Sequence, residues 1–287
     1  MNFRQRLWNC LTCCCLLSGT VLNGTGTALA DEPTLQYPID VAAAADGTVY
    51  IADLKLPGIW KYAEGKLSVH HQASRQFRTP LNAVRCVVVN AEGVLFAGDS
   101  STREVYRLEA ADKPVPLTGG KIGVASDLAI RGDQVLVSDL ETQRIWSIPQ
   151  AGGEPVELAL LAGVRGLVVT PEQELIVVTT NADQVRMISS DGQQKILAAG
   201  RPFEFPHQAA LVAGQLYVTD NYAQAIWKMP VAGGEAPQKF LGAAPLNKPV
   251  GICAKGETLL VADPHAKDVL VVSVDGKIQS LFGAAAE

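Results

Sequence analysis

Six times along this chain an apolar run closes on the same kind of short polar residue. The column reads Asp53, Asp99, Asp139, Thr179, Asp220 and Asp263, with steps of 46, 40, 40, 41 and 43 residues. Six residues after each stands a branched apolar side chain: Ile59, Val105, Ile145, Val185, Ile226 and Val269. The next position reads Trp60, Tyr106, Trp146, Arg186, Trp227 and Leu270. A repeat of about 40 residues built from short apolar runs marks a closed or stacked array, because one unit alone cannot bury its own faces.

Each unit divides into four short strands. In the third, Asp127–Ile130, Val135–Ser138, Arg144–Ile148 and Pro155–Leu158 are separated by turns such as Arg131-Gly132-Asp133 and Ala151-Gly152-Gly153-Glu154. Glycine supplies the positive φ that tight hairpins require. The first strands, such as Cys86-Val87-Val88-Val89, are apolar at successive positions, as strands covered on both faces are. No unit shows a 3.6-residue apolar period, which excludes a helical repeat. Six sheets in a ring cover one another's faces, so the expected fold is all-β: a six-bladed β-propeller of four-stranded antiparallel blades. Its inner strands are expected near 39–43, 86–89, 127–130, 166–169, 208–211 and 251–254.

The first thirty residues differ in kind. Arg4 and Arg6 precede an apolar stretch from Trp8 to Leu22, and Ala28-Leu29-Ala30 offers a cleavage site. This is the pattern of a secretory signal peptide, cut between Ala30 and Asp31, which leaves 31–287 as a single domain in the periplasm or outside the cell. Four of the six cysteines leave with the leader, and Cys86 and Cys253 remain, on strands a whole blade apart and expected to be free. Without Arg4 and Arg6 the remainder carries 22 basic and 29 acidic residues, formally −7. That balance argues against nucleic acid, whose affinity comes from basic side chains on phosphates. No second apolar segment is long enough to span a bilayer. A monomer is the expected state.

Pro249-Val250-Gly251-Ile252 leading to Val261-Ala262-Asp263, with Arg144-Ile145-Trp146 and Leu216-Tyr217-Val218-Thr219-Asp220, resembles the unit of the NHL-repeat propellers. The resemblance covers about residues 37 to 283. It implies the propeller fold and leaves activity open, because that superfamily holds binding scaffolds, lactonases and lyases.

In a propeller the first strand of each blade starts at the face where the second strand ends. The strand openers read Ile39-Asp40, Arg85-Cys86, Ser126-Asp127, Arg165-Gly166, His207-Gln208 and Val250-Gly251. The long connector 70–80 and the segment with Arg201, Phe203 and Phe205 are assigned to this same face, which gathers all four histidines (His70, His71, His207, His265) with Arg75, Arg78, Arg85, Arg165 and Arg201. Two arrangements fit. Arg85, Arg165 and His207 bind an anionic ligand at the mouth, with Asp40 and Asp127 beside them, or these bases pair with the two acids to neutralise a narrow channel. The Asp column itself is expected to accept backbone N–H groups from its own loop rather than to hold a metal.

The chain is also similar in fold to gluconolactonase and senescence-marker propellers, which implies a divalent cation held by Glu, Asn and Asp at inner-strand starts. Asp40 stands where the first-blade acid would, and Asp127 approximates another ligand. Arg85, Arg165 and His207 occupy the other slots, where guanidinium groups repel a cation, so no cofactor is expected. Streptogramin lyases are a second similar family, and they imply histidines as proton-transfer groups, for which His207 and His265 are available. The expected function is a binding or scaffold module for an anionic small molecule, a glycan or a peptide. A lactonase-like hydrolase or a lyase on the same face is the alternative.

Overall fold

A computed structural model describes residues 34–111 and 113–283. The expected leader at 1–30 lies outside them. The described residues form six four-stranded antiparallel sheets and no helix. Each sheet takes its strands consecutively from the chain, so every blade is one uninterrupted repeat. The inner strands are Pro38–Ala43, Val84–Val89, Ala125–Arg131, Val164–Val169, Pro206–Val212 and Gly251–Lys255. Each contains the stretch expected from sequence.

The apolar residues gather into six clusters, one between each pair of neighbouring blades. The strands are apolar on both faces for this reason. The ring closes by the same packing: Val41, Ile51 and Trp60 of the first blade meet Leu260, Ala262 and Val269 of the last. No strand is exchanged between the two blades.

The Asp column fastens the mouth-side loops. Asp53 accepts the backbone N–H groups of Gln36, Tyr37 and Lys55. Asp139 accepts those of Gly123, Val124, Glu141 and Thr142. Each carboxylate thus ties the connector entering a blade to the loop after its second strand, which is the backbone role the sequence suggested. The aromatic column docks onto it. The indole N–H of Trp60, Trp146 and Trp227 donates to Asp53, Asp139 and Asp220. Blade four lacks both members of the pair. Thr179 there leaves its hydroxyl without a partner among the described residues, and the connector is held by Thr180 N donating to Gly163 O.

Candidate functional site: a cationic mouth above a polar waist

Two cavities lie along the ring axis. One, of about 520 Å³, runs down the channel and is lined by Asp40, Asp127, Gln208 and the apolar inner strands. The other, of about 560 Å³, opens at the mouth; Arg85, Ser126, Arg165, Phe205, His207 and Tyr222 are among its walls. Gln208 borders both.

Between them lies a waist with threefold character. Blades one, three and five place Asp40, Asp127 and Gln208 in one slot, and blades two, four and six place Cys86, Gly166 and Gly251 there. Each large residue reaches the blade that follows. Asp40 Oδ2 accepts Val87 N at 2.8 Å, Asp127 Oδ2 accepts Leu167 N at 2.8 Å, and Gln208 Oε1 accepts Ile252 N at 3.0 Å. Gln208 Nε2 donates to Asp127 Oδ1 at 3.1 Å, which closes the layer. The small residues are a steric requirement. A Cβ on Gly166 would sit 2.8 Å from Gln208 Cα, and one on Gly251 would sit 2.6 Å from Asp40 Cα.

Asp40 and Asp127 are only 2 % and 6 % exposed. Burial lifts the Asp40 carboxyl to about 7, against backbone hydrogen bonds that pull it down. Burial, and then the Asp40 charge, hold the Asp127 carboxyl well above the usual carboxylate range. The pair therefore keeps a proton at neutral pH. Beside this layer the thiols of Cys86 and Cys253 are free, and burial raises the pKa of both.

The mouth has the opposite character. Among the described residues neither Arg85 nor Arg165 forms an ion pair. Arg85 Nε reaches only the Ser100 hydroxyl, at 3.3 Å. Arg165 Nε is buried with no hydrogen-bond partner among the described residues, and its guanidinium lies 5.1 Å from the Phe205 ring centroid. Burial and then Arg85 lower the Arg165 pKa, yet a guanidinium stays charged at any physiological pH. His207 packs edge-on to the same aromatic ring, its centroid 5.2 Å from that of Phe205. Burial and then the Arg165 charge push its pKa down to about 4, so the imidazole is neutral at pH 7. Tyr222 stacks on Phe205 with centroids 4.7 Å apart and remains 63 % exposed.

Arg85, Arg165 and His207 thus come together as the repeat register suggested, while Asp40 and Asp127 lie one layer deeper with their oxygens turned to backbone N–H groups. Pairing of the arginines with these acids, the second arrangement read from sequence, does not occur. The gathering of all four histidines needs correction. His70 and His71 belong to the outer strand Lys66–Gln72, because that strand keeps pairing as far as Gly58. His70 packs on Tyr50, and His71 Nδ1 contacts Ala111 O at 2.5 Å. His265 does stay at the mouth rim, next to the lining residue Pro264, exposed and 6.0 Å from the ring of Tyr37, which also lines the cavity. Arg75, Arg78 and Arg201 are exposed and border neither axial cavity.

The divalent cation that the lactonase resemblance implies does not fit these residues. The two carboxylates are occupied by backbone donors, two guanidinium groups stand at the entrance, and no cluster of three His, Cys, Asp or Glu side chains exists among the described residues.

Phe205 and Tyr222 had no assigned role in the sequence reading. Tyr222 sits in a loop and carries no periodic signal. The waist has a signal in the sequence, since one slot across the repeats gives Asp, Cys, Asp, Gly, Gln, Gly, although Asp40 and Asp127 were expected at the mouth.

No protein-family model matches the chain, and no curated protein matches it by sequence. Solved structures match its fold. A virginiamycin B lyase from Staphylococcus aureus superposes with a TM-score of 0.66 at 13 % identity, covering 88 % of each chain. A gluconolactonase from Xanthomonas campestris gives 0.65 at 17 % identity over 82 % of this chain and 84 % of its own. A chain of a nidogen/laminin complex gives 0.64 at 16 % identity over 83 % and 89 %. The chain is a six-bladed propeller. Likeness at this level of identity carries the architecture and no activity.

Proposed function

We propose that this propeller is an exported binding module that takes an anionic small molecule at its mouth through Arg85 and Arg165. One observation carries the reading: two guanidinium groups face one cavity without a carboxylate partner, in a chain whose net charge is negative. Arg85 is exposed, but Arg165 is half-buried with its Nε enclosed and unpaired, and an enclosed donor of a charged group is costly to leave unsatisfied. Here the groups nearest to Arg165 are an aromatic face, the neutral His207 and the like-charged Arg85, an environment that a bound anion would improve. A cavity with low-dielectric walls also strengthens the field of both arginines.

A thermal-shift screen of carboxylates and phosphates against the wild type, Arg85→Ala and Arg165→Ala tests this. A ligand that binds only the folded state raises the melting temperature by mass action. The expected result is a set of anions that stabilise the wild type and lose their effect in both variants, while the unliganded melting temperature hardly moves. Variants that melt much earlier and a wild type that responds to no anion would overturn the reading.

A further inference from the structure

The walls of the mouth narrow the chemistry of the ligand. Apart from the arginines, His207 and the hydroxyls of Tyr37 and Tyr222, the polar side chains that line the cavity are engaged with protein partners. The Ser126 hydroxyl bonds Ser138 and Arg165 O, Asn221 Nδ2 donates to Lys248 O, and Glu141 pairs with Arg103 at 2.6 Å. Gln208 is spent on the waist. A carbohydrate would need several side-chain donors and acceptors for its hydroxyl groups, and these walls offer few.

The remaining walls are apolar: Ile39, Leu54, Val124, Leu140, Val250 and Pro264. Beside them stands the Phe205–Tyr222 stack, whose outer ring is exposed at the cavity edge. Apolar walls with a few convergent polar groups describe a site for a compact organic molecule, and 560 Å³ is within the usual size for one. The Arg165 guanidinium lies against one member of that stack, so the charged end and the flat end of the site adjoin.

Building on the anion-binding reading above, we infer that the mouth takes a carboxylic acid with an apolar, flat body, an aryl or arylalkyl carboxylate. The carboxylate lies between Arg85 and Arg165, whose planar forks match its two oxygens. The ring lies along Tyr222 and the apolar wall, where stacking and burial favour it. A single negative head suffices to offset the mutual repulsion of the two guanidinium groups, which in the free protein have no carboxylate between them.

Isothermal titration calorimetry on the full chain tests the inference. The probes are benzoate, phenylacetate, 3-phenylpropionate and 2-naphthoate, set against glucuronate, inorganic phosphate and the neutral 2-naphthylmethanol. The expected result is at least one aryl carboxylate that binds about tenfold or more tighter than glucuronate, phosphate and the alcohol. Tyr222→Ala should weaken that probe by about three- to tenfold, the usual worth of one aromatic contact, while Tyr222→Phe retains it. Tyr222 is exposed, so both variants are expected to fold as the wild type does. Glucuronate or phosphate binding as tightly as the aryl acids, with Arg165→Ala abolishing it and Tyr222→Ala silent, would overturn this inference and leave the anionic mouth standing. No binding by any of these anions, or equal binding of 2-naphthylmethanol, would overturn the anionic reading and this inference with it.

Discussion

The waist and the mouth are adjacent layers of one axis, built from neighbouring positions of the same six strands, and they treat polar groups in opposite ways. At the waist, Asp40, Asp127 and Gln208 each bridge to the next blade, and every side-chain oxygen of the three accepts a hydrogen bond. At the mouth, Arg85 and Arg165 stand without an ionic partner, and one buried donor is unsatisfied. A buried polar group that serves the fold has its partners inside the fold. One that lacks them, beside an open cavity, is where a ligand has something to add.

The largest effect that separates the layers is expected from Asp127→Ala. It strands the N–H groups of Leu128 and Leu167 and the Gln208 amide. Each unsatisfied buried group costs about 1–3 kcal/mol, so a loss of about 3 kcal/mol or more should appear in urea denaturation. An unchanged midpoint would mean that the waist does not brace the ring.

The second expected effect is a pH dependence that belongs to the waist alone. Asp40 binds its proton more tightly folded, at about 7, than its ordinary 3.8. That contribution is complete below about pH 4 and disappears as the pH rises through 7. His207 runs the other way: its folded value of about 4 lies below the ordinary 6.5, so its contribution is complete above pH 6.5 and disappears as the pH falls through 4. The two oppose each other between pH 4 and 6.5. Above about pH 7.5 the imidazole is mostly neutral in both states and the acids dominate, so the melting temperature should fall as pH rises towards 8. Asp127→Asn, which removes one of the two carboxylates, should flatten that slope. A melting temperature that rises across this window would show that the pair ionises without cost.

The smallest effect is expected at the mouth. Arg165→Ala removes a side chain that makes no ion pair, so stability should change by no more than about 0.5–1 kcal/mol, and relief of the repulsion from Arg85 offsets part of that. A loss as large as that of Asp127→Ala would erase the contrast and make the arginine part of the scaffold.

The repeat made the scaffold legible. Asp53, Asp139 and their equivalents mark a strand end every 40 or so residues, and a loop that must satisfy its own N–H groups needs an acceptor at that point wherever the blade sits in the ring. In blade four both columns change, Thr179 for the acid and Arg186 for the aromatic, whereas blade six keeps Asp263 with Leu270 in the aromatic place. Arg85, Arg165 and His207 could be placed on one mouth because ring closure brings equal slots round one axis. Such reasoning works for whatever repeats.

The features that the sequence could not settle break the repeat or depend on distances between blades. His70 and His71 look like loop residues until the pairing of Gly58 with Gln72 carries the outer strand past them. Tyr222 is one residue of a loop, and only the folded chain stacks it on Phe205. Whether Asp40 and Asp127 would meet the arginines or the backbone turned on a choice among neighbours a few ångströms apart. By itself the sequence determined the number of blades, the strands and the fastening of the loops, because those are set by local periodicity and by hydrogen bonds within a repeat. Only the tertiary structure decided which polar groups found partners across the axis and which were left facing the cavity, because that depends on how closely six inner strands approach when the ring closes.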